Sequence, residues 1–349
     1  MVWPTMLETS ESLEGANIGR SDHPPDAAIA ARSLRRSFKG GIEAVRDIDL
    51  TVSAGEVFGF LGPNGAGKTT TVRMLCTLLP PTSGTATVAG LDVVEDAAEV
   101  RRRIGVALQE IGLDPVQTGR ELLELQCGLY GVTGQHARAK ANELLELVGL
   151  TEAADRRTKT YSGGMKRRLD LASALVHAPE VLFLDEPTTG LDPASRLTIW
   201  DEVRRINADG ATVFLTTQYL EEADQLCDRL AIIDNGEIVA EGTPEQLKAE
   251  MGHDVVSVSV EGDDVAATEA ALTGLTGLER VMTEPYGVAL YVEDGPGSIA
   301  EIVRLLEREQ IRLGPISVAR PSLDDVFLKA TGRRLEGQEQ PGQATEVKQ

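Results

Sequence analysis

The residues with most chemistry to offer lie in one stretch, Gly62-Pro63-Asn64-Gly65-Ala66-Gly67-Lys68-Thr69-Thr70. Its three glycines let the backbone turn sharply and bring its N–H groups against a phosphate chain, where a Cβ would intrude. Lys68 can reach the β- and γ-phosphates, and the Thr69 hydroxyl can ligate Mg²⁺. The apolar run Val57 to Leu61 before the loop and the helical run through Leu79 after it predict strand, loop and helix. The positive N-terminal end of that helix then faces the same anionic charges. The stretch reads as a nucleoside triphosphate site.

Two further clusters carry complementary chemistry. Val181-Leu182-Phe183-Leu184 is a continuous apolar strand that ends in Asp185-Glu186-Pro187. Asp185 at the strand tip can fix Mg²⁺, usually through water, while Glu186 points differently because strand side chains alternate, and suits a general base. Gln109 and Glu110 leave the short apolar run Gly105 to Leu108, where polar residues lie near the ligand crevice of an open α/β sheet. Tyr161-Ser162-Gly163-Gly164-Met165 is a second small-residue loop at a helix start. Ser162 can cap that helix, and the helix dipole with Lys166 and Arg167 makes either a second anion-attracting tip or a plain cap. Phe38, on the loop Phe38-Lys39-Gly40-Gly41, is either core or a platform for a purine base.

Strands and helices alternate around these clusters. Strands are expected at Ala28 to Leu34, Val45 to Val52, Thr85 to Val88, Val213 to Thr217 and Leu230 to Ile233, with Gln218 at the exit of the fourth. A mostly parallel sheet with helices on both faces follows, class α/β. Leucines three and four apart, Leu122, Leu125 and Leu129 and then Leu144, Leu147 and Val148, predict a helical insertion at about 110–175. Beyond Gly252 the order β-α-β-β-α-β, with a turn at Pro285-Tyr286-Gly287, predicts a small α+β, ferredoxin-like domain over 252–332. A last amphipathic helix, Leu323 to Ala330, is expected to pack on that domain or on a second subunit. Residues 1–27 read as a disordered leader and 333–349 as a disordered tail around a nucleotide-binding domain at 28–250.

Composition narrows the partners. A net charge of −21 disfavours a nucleic-acid role and direct adhesion to an anionic membrane. No stretch approaches the roughly 18 consecutive apolar residues of a membrane span, and Met1 to Gly15 has no signal-like pattern, so the protein is expected in the cytoplasm. Cys76, Cys127 and Cys227 lack metal-site spacing and read as small buried thiols.

The phosphate loop, Gln109, Ser162-Gly163-Gly164, Asp185-Glu186 and Gly190-Leu191-Asp192 stand in the order seen in ATP-binding-cassette (ABC) ATPases, which this chain resembles from about Ala28 to Glu250. Gln218-Tyr219-Leu220-Glu221-Glu222-Ala223-Asp224 and Pro321-Ser322-Leu323-Asp324-Asp325-Val326-Phe327 resemble the daunorubicin-resistance type of drug-export ATPase subunit. The resemblance implies a head-to-tail homodimer with each ATP held between Lys68 of one subunit and Ser162, Gly163 and Gly164 of the other. It implies Gly62 to Thr70 around the phosphates, Phe38 on adenine, Thr69 and Asp185 on Mg²⁺ with Gln109 near metal or water, Glu186 as base, and Asp192 at the dimer contact.

It further implies a separate integral membrane permease that contacts an exported, drug-like molecule, and a peripheral place on the cytoplasmic side of the membrane. Tyr161 and Met165 depart from the family's usual Leu and Gln, and Gln218 stands where most members carry His. A Gln amide can donate to a phosphate oxygen but cannot share a proton near neutral pH. The competing reading is a soluble ATPase of the same family acting on ribosomes or DNA; its usual tandem cassettes or long coiled coil are absent here. A generic phosphate-loop kinase would leave Ser162-Gly163-Gly164 unexplained.

Overall fold

The computed structural model describes residues 27–109, 112–250, 252, 254–260, 265–284 and 287–333. Residues 1–26 of the leader, the tail beyond Arg333, Glu110 and the Pro285-Tyr286 turn lie outside the described residues, while Ala27, expected to end the leader, opens the first strand.

The chain begins as an antiparallel hairpin, β1 (Ala27–Phe38) and β2 (Ile42–Ser53), then enters β3 (Val57–Leu61) and α1 (Lys68–Leu75). Next come β4 (Ser83–Val88), β5 (Leu91–Asp92), α2 (Ala97–Arg103) and β6 (Ile104–Ala107). Three helices follow, α3 (Gly119–Leu129), α4 (Gly134–Leu147) and α5 (Gly163–Ala174). The chain returns to sheet through β7 (Val181–Asp185), α6 (Pro193–Ala208), β8 (Thr212–Thr217), α7 (Leu220–Leu226), β9 (Arg229–Asp234), β10 (Glu237–Gly242) and α8 (Pro244–Ala249). The last portion is β11 (Asp254–Val260), α9 (Val265–Leu272), β12 (Leu278–Glu284), β13 (Gly287–Val292), α10 (Gly295–Arg308), β14 (Leu313–Ala319) and α11 (Leu323–Thr331).

Instead of one mostly parallel sheet, the first portion has two. A sheet ordered β10-β9-β3-β8-β7-β6 is parallel except for β10, and a separate antiparallel sheet runs β2-β1-β4-β5. Between them Phe58, Phe60 and Phe183 surround Phe214 with centroids 5.6–5.8 Å apart, all fully buried. Each such ring contributes roughly 1.5–3 kcal/mol through removal from water. The second core lies on the helical side and includes Leu122, Leu144, Leu169, Leu184 and Val213. The two cores thus cover opposite faces of β3 and β7, the two strands that end at the predicted chemistry.

The helical insertion presents a different face than the leucine spacing suggests. In α3, Leu122, Leu123 and Cys127 are buried, whereas Leu125 and Leu129 are 52% and 72% exposed. The helix starts earlier than expected because Thr118 and Glu121 form a capping box, side chain to backbone in both directions. Elements β10 and α8 extend the nucleotide-binding portion beyond the expected last strand, α8 being started by a Thr243–Gln246 capping box with Pro244 in its first turn.

The C-terminal sheet is antiparallel in the order β12-β13-β11-β14, the ferredoxin-like arrangement, around Val256, Val258, Leu290, Ile302 and Leu306. Helix α11 does not join that core. Leu323, Val326 and Phe327 are buried with Leu220, Ala223 and Leu247 of the nucleotide-binding portion, and Lys329 Nζ donates to Glu250 O at 3.1 Å. The last helix therefore straps the C-terminal domain onto α7 and α8.

Helix α6 holds a buried carboxyl, Glu202, whose Oε2 finds no hydrogen-bond partner among the described residues. Burial pushes its pKa up to about 7, against the pull of Arg168 and Arg205. Because the folded pKa is raised, stability from this group is full below about pH 4.5 and is lost as pH rises through 7. Glu202→Gln should match the wild type at pH 5 and exceed it at pH 8 by on the order of 2 kcal/mol, as read from urea unfolding at both values. Equal stability of the two proteins at pH 8 would contradict this assignment.

Candidate functional site

At the carboxyl end of β3 the loop Gly62 to Gly67 wraps the start of α1. A Cβ on Gly62 would sit 2.4 Å from Ile233 O, and one on Gly67 2.4 Å from Ala44 O. Gly65 and Gly67 also have φ of +81° and +110°, so the close approach and the left-handed turn both require glycine. Pro63, Asn64, Gly65, Gly67, Lys68, Thr69 and Thr70 line a cleft of about 200 Å³, together with Ala44, Gln109 and Glu186. Ala66 is buried beneath it, its N–H donating to Pro63 O at 3.2 Å.

Lys68 Nζ donates to Gly62 O at 2.7 Å and Pro63 O at 3.1 Å and pairs with Glu186 Oε1 at 3.3 Å, all within a buried seat. Burial lowers the Lys68 pKa, and Glu186 and Asp185 oppose that shift. Thr69 Oγ1 donates to Asp185 Oδ1 at 3.3 Å, and Thr216 Oγ1 donates to the same atom at 2.6 Å. Asp185 Oδ2 is buried without a hydrogen-bond partner among the described residues. A hydroxyl and an orphaned carboxylate oxygen beside a phosphate cradle form the hard-oxygen donor set that suits Mg²⁺.

Glu186 follows the strand with φ +50°, a left-handed conformation that costs a non-glycine residue energy and is typical of functional sites. Its N–H donates to Thr216, and its Oε2 accepts from Thr189 Oγ1 at 3.2 Å and Gln109 Nε2 at 3.5 Å. The structure thus brings together the phosphate loop, Gln109, Asp185 and Glu186.

Five expected site residues, Ser162, Gly163, Gly164, Phe38 and Gln218, lie outside the cleft. Ser162 caps α5 by accepting from Met165 N at 3.2 Å, and Gly163 and Gly164 face Leu191 and Ser195; none of the three lines the cleft. Phe38 is the last residue of β1, not a loop residue, and lies under the Arg36 guanidinium, 4.9 Å from its centroid. Gln218 leaves β8 half-buried and is not among the residues that line the cleft. Arg167 is not part of an anion-attracting tip. It is buried, with its guanidinium donating to the carbonyls of Pro187, Asp185 and Leu108 and pairing with Asp170 at 3.4 Å. Tyr161 also turns inward, its hydroxyl donating to Ala153 O at 2.6 Å.

Fold and cleft together define a phosphate-loop ATPase of the ATP-binding-cassette type. Residues 45–189 match the family described as ABC transporter, and residues 242–331 match the ATP-binding protein DrrA1-3-like C-terminal domain. The daunorubicin resistance ATP-binding protein DrrA2 of Streptomyces coeruleorubidus is 47% identical over 89% of this chain and 97% of that one. The Nod factor export ATP-binding protein I of Paraburkholderia xenovorans is 42% identical over 89% and 99%. Among solved structures, a dimeric post-hydrolysis state of the ATP-binding cassette MJ0796 bound to ADP and Pi shares 26% identity and a TM-score of 0.58, covering 62% of this chain and 98% of that one. The chain belongs to the ABC transporter family, in its daunorubicin-resistance ATP-binding branch. It is an ATP-binding ATPase subunit, and among the described residues no helix is long and apolar enough to cross a membrane.

Proposed function

We propose that this ATPase powers export of a drug-like, amphiphilic molecule through a separate membrane permease, from the cytoplasmic face. Two copies close head to tail over two ATP molecules. In each site Gly62 to Thr70 and Lys68 hold the phosphates, Phe38 stacks on adenine, and Ser162, Gly163 and Gly164 of the partner present helix α5's N-terminus to the γ-phosphate. Thr69, Asp185 and Gln109 would hold Mg²⁺, which would neutralise phosphate charge in the transition state. Glu186 accepts the proton of the attacking water, and Gln218 donates to a γ-phosphate oxygen. Asp192, which caps α6 through Ser195 N at 3.0 Å, stands at the dimer contact.

The observation that carries this reading is the division of labour within one chain: the cleft has the phosphate loop, the metal-type oxygens and a base, while the second anion-facing helix tip lies away from it. ATP then joins two subunits, and hydrolysis releases them. The relatives' names supply the direction and cargo class: daunorubicin and doxorubicin resistance, linearmycin resistance and Nod factor export. A groove of about 400 Å³ bordered by Leu78, Val106, Leu108 and Tyr130 is the seat for a short permease helix, with exposed Leu125 and Leu129 on the flanking α3. Residues 28–250 form the motor and 252–332 the accessory domain.

Cells expressing this chain with the membrane protein that co-purifies with it should accumulate less of a fluorescent anthracycline, and Lys68→Ala should restore accumulation. Unchanged accumulation, or co-purification with ribosomes instead of a membrane protein, would overturn the export reading.

A further inference from the structure

Glu186 is useful as a base only if its strained backbone is held, and three contacts hold it. Its N–H is fixed to Thr216, the following Pro187 carbonyl is fixed by Arg167, and Thr188 is fixed by a carboxylate from outside the cleft, Glu222 of α7. Glu222 is fully buried. Its Oε1 accepts from Thr188 Oγ1 at 2.8 Å and from Trp200 Nε1 of α6 at 3.0 Å. The Thr217 hydroxyl at the end of β8 and the positive charge of Arg196 also favour its charged form. Oε2 is buried without a hydrogen-bond partner among the described residues.

One carboxyl therefore ties together the turn that carries Glu186, the helix capped by Asp192, and the helix that begins two residues after Gln218. From this juxtaposition we propose that Glu222 is a positioning residue for hydrolysis, setting the Glu186–Asp192 turn against the Gln218 strand end through its acceptor oxygen. It does not line the cleft. Burial raises its pKa, with Thr217, Thr188, Trp200 and Arg196 pulling the other way. Its Oε1 accepts from two neutral donors, and a Gln amide oxygen in the same place can accept from both.

The inference rests on Glu186 being the base, so Glu186→Gln is measured beside it on the full chain. Glu222→Met keeps side-chain length but removes the acceptor; it should lower kcat for ATP about tenfold or more with KM for ATP within about twofold of wild type. Glu222→Gln should restore near-wild-type kcat. Thr188→Val should lower kcat comparably, and its combination with Glu222→Met should be no worse than either alone, because both remove the same contact.

A folded Glu222→Met protein with wild-type kcat would overturn the proposal, as would Glu222→Gln failing like Met or multiplicative losses in the double variant. If Glu222→Met misfolds, Thr188→Val and Glu222→Gln decide the matter by the same criteria. Turnover surviving in Glu186→Gln would instead overturn the base assignment itself.

Discussion

Glu186→Gln should lower steady-state ATP hydrolysis by on the order of 10²–10⁴-fold, the usual contribution of a positioned general base, while leaving ATP binding intact. The phosphate contacts of the loop do not pass through this side chain, and Lys68 keeps its acceptors Gly62 O and Pro63 O. A Gln amide fits the same space, and its oxygen can still accept from Thr189 Oγ1, which now meets Glu186 Oε2 at 3.2 Å. What is lost is the proton acceptor. Bound ATP should therefore persist, measured as radiolabelled triphosphate retained on the protein, and the variant should run as a larger species on size-exclusion chromatography in ATP.

The residue at 218 sharpens the same prediction. Gln218 stands at the end of β8 where the family resemblance implies His, and its amide cannot share a proton as an imidazole would. In the proposed mechanism Gln218 carries only a hydrogen bond to phosphate, and Glu186 bears the base role alone. Wild-type turnover in Glu186→Gln would contradict that.

How far the sequence alone leads depends on whether a feature is local. The phosphate loop was legible because its glycines, its lysine and the preceding apolar strand are consecutive, and the backbone geometry at Gly65 and Gly67 is a local property. The capped helix after Ser162 was legible for the same reason. Arg167 and Glu222 were not. Their meaning lies in partners far along the chain, Leu108 and Pro187 for the first and Thr188 and Trp200 for the second, and no spacing rule announces a buried guanidinium or carboxyl whose partners are so distant.

Periodicity misled in part at α3, where a helix carrying Leu122, Leu123, Leu125, Cys127 and Leu129 offers two apolar stripes, and the tertiary contact with α4 and α5 selects Leu122, Leu123 and Cys127. Strand direction was likewise invisible: β1, β2 and β4 alternate as any half-buried strand does, and only pairing makes them a separate antiparallel sheet. For α8 a signal was present in Thr243-Pro244-Glu245-Gln246, a capping box with proline in the first helical turn.

The second large effect concerns where the catalytic pocket is completed. Lys68→Ala removes the buried cation from the phosphate loop, and Ser162→Arg places a long cationic side chain on the helix tip that, in the proposed dimer, faces the partner's nucleotide. In a pair of identical variants each of the two pockets carries the defect, so each protein alone should be inactive. In a mixed pair one pocket combines both defects while the other has Lys68 from one subunit and Ser162 from its partner. Such a pocket lacks nothing.

Mixing the two inactive proteins in equal amounts and measuring phosphate release is therefore the direct measurement. Random pairing predicts recovery of up to about a quarter of wild-type turnover, since about half the dimers are mixed and each has one sound pocket. If mixed dimers form, as shown by pull-down of one tagged variant with the other, yet no phosphate is released, nucleotide is not shared between two copies of this chain.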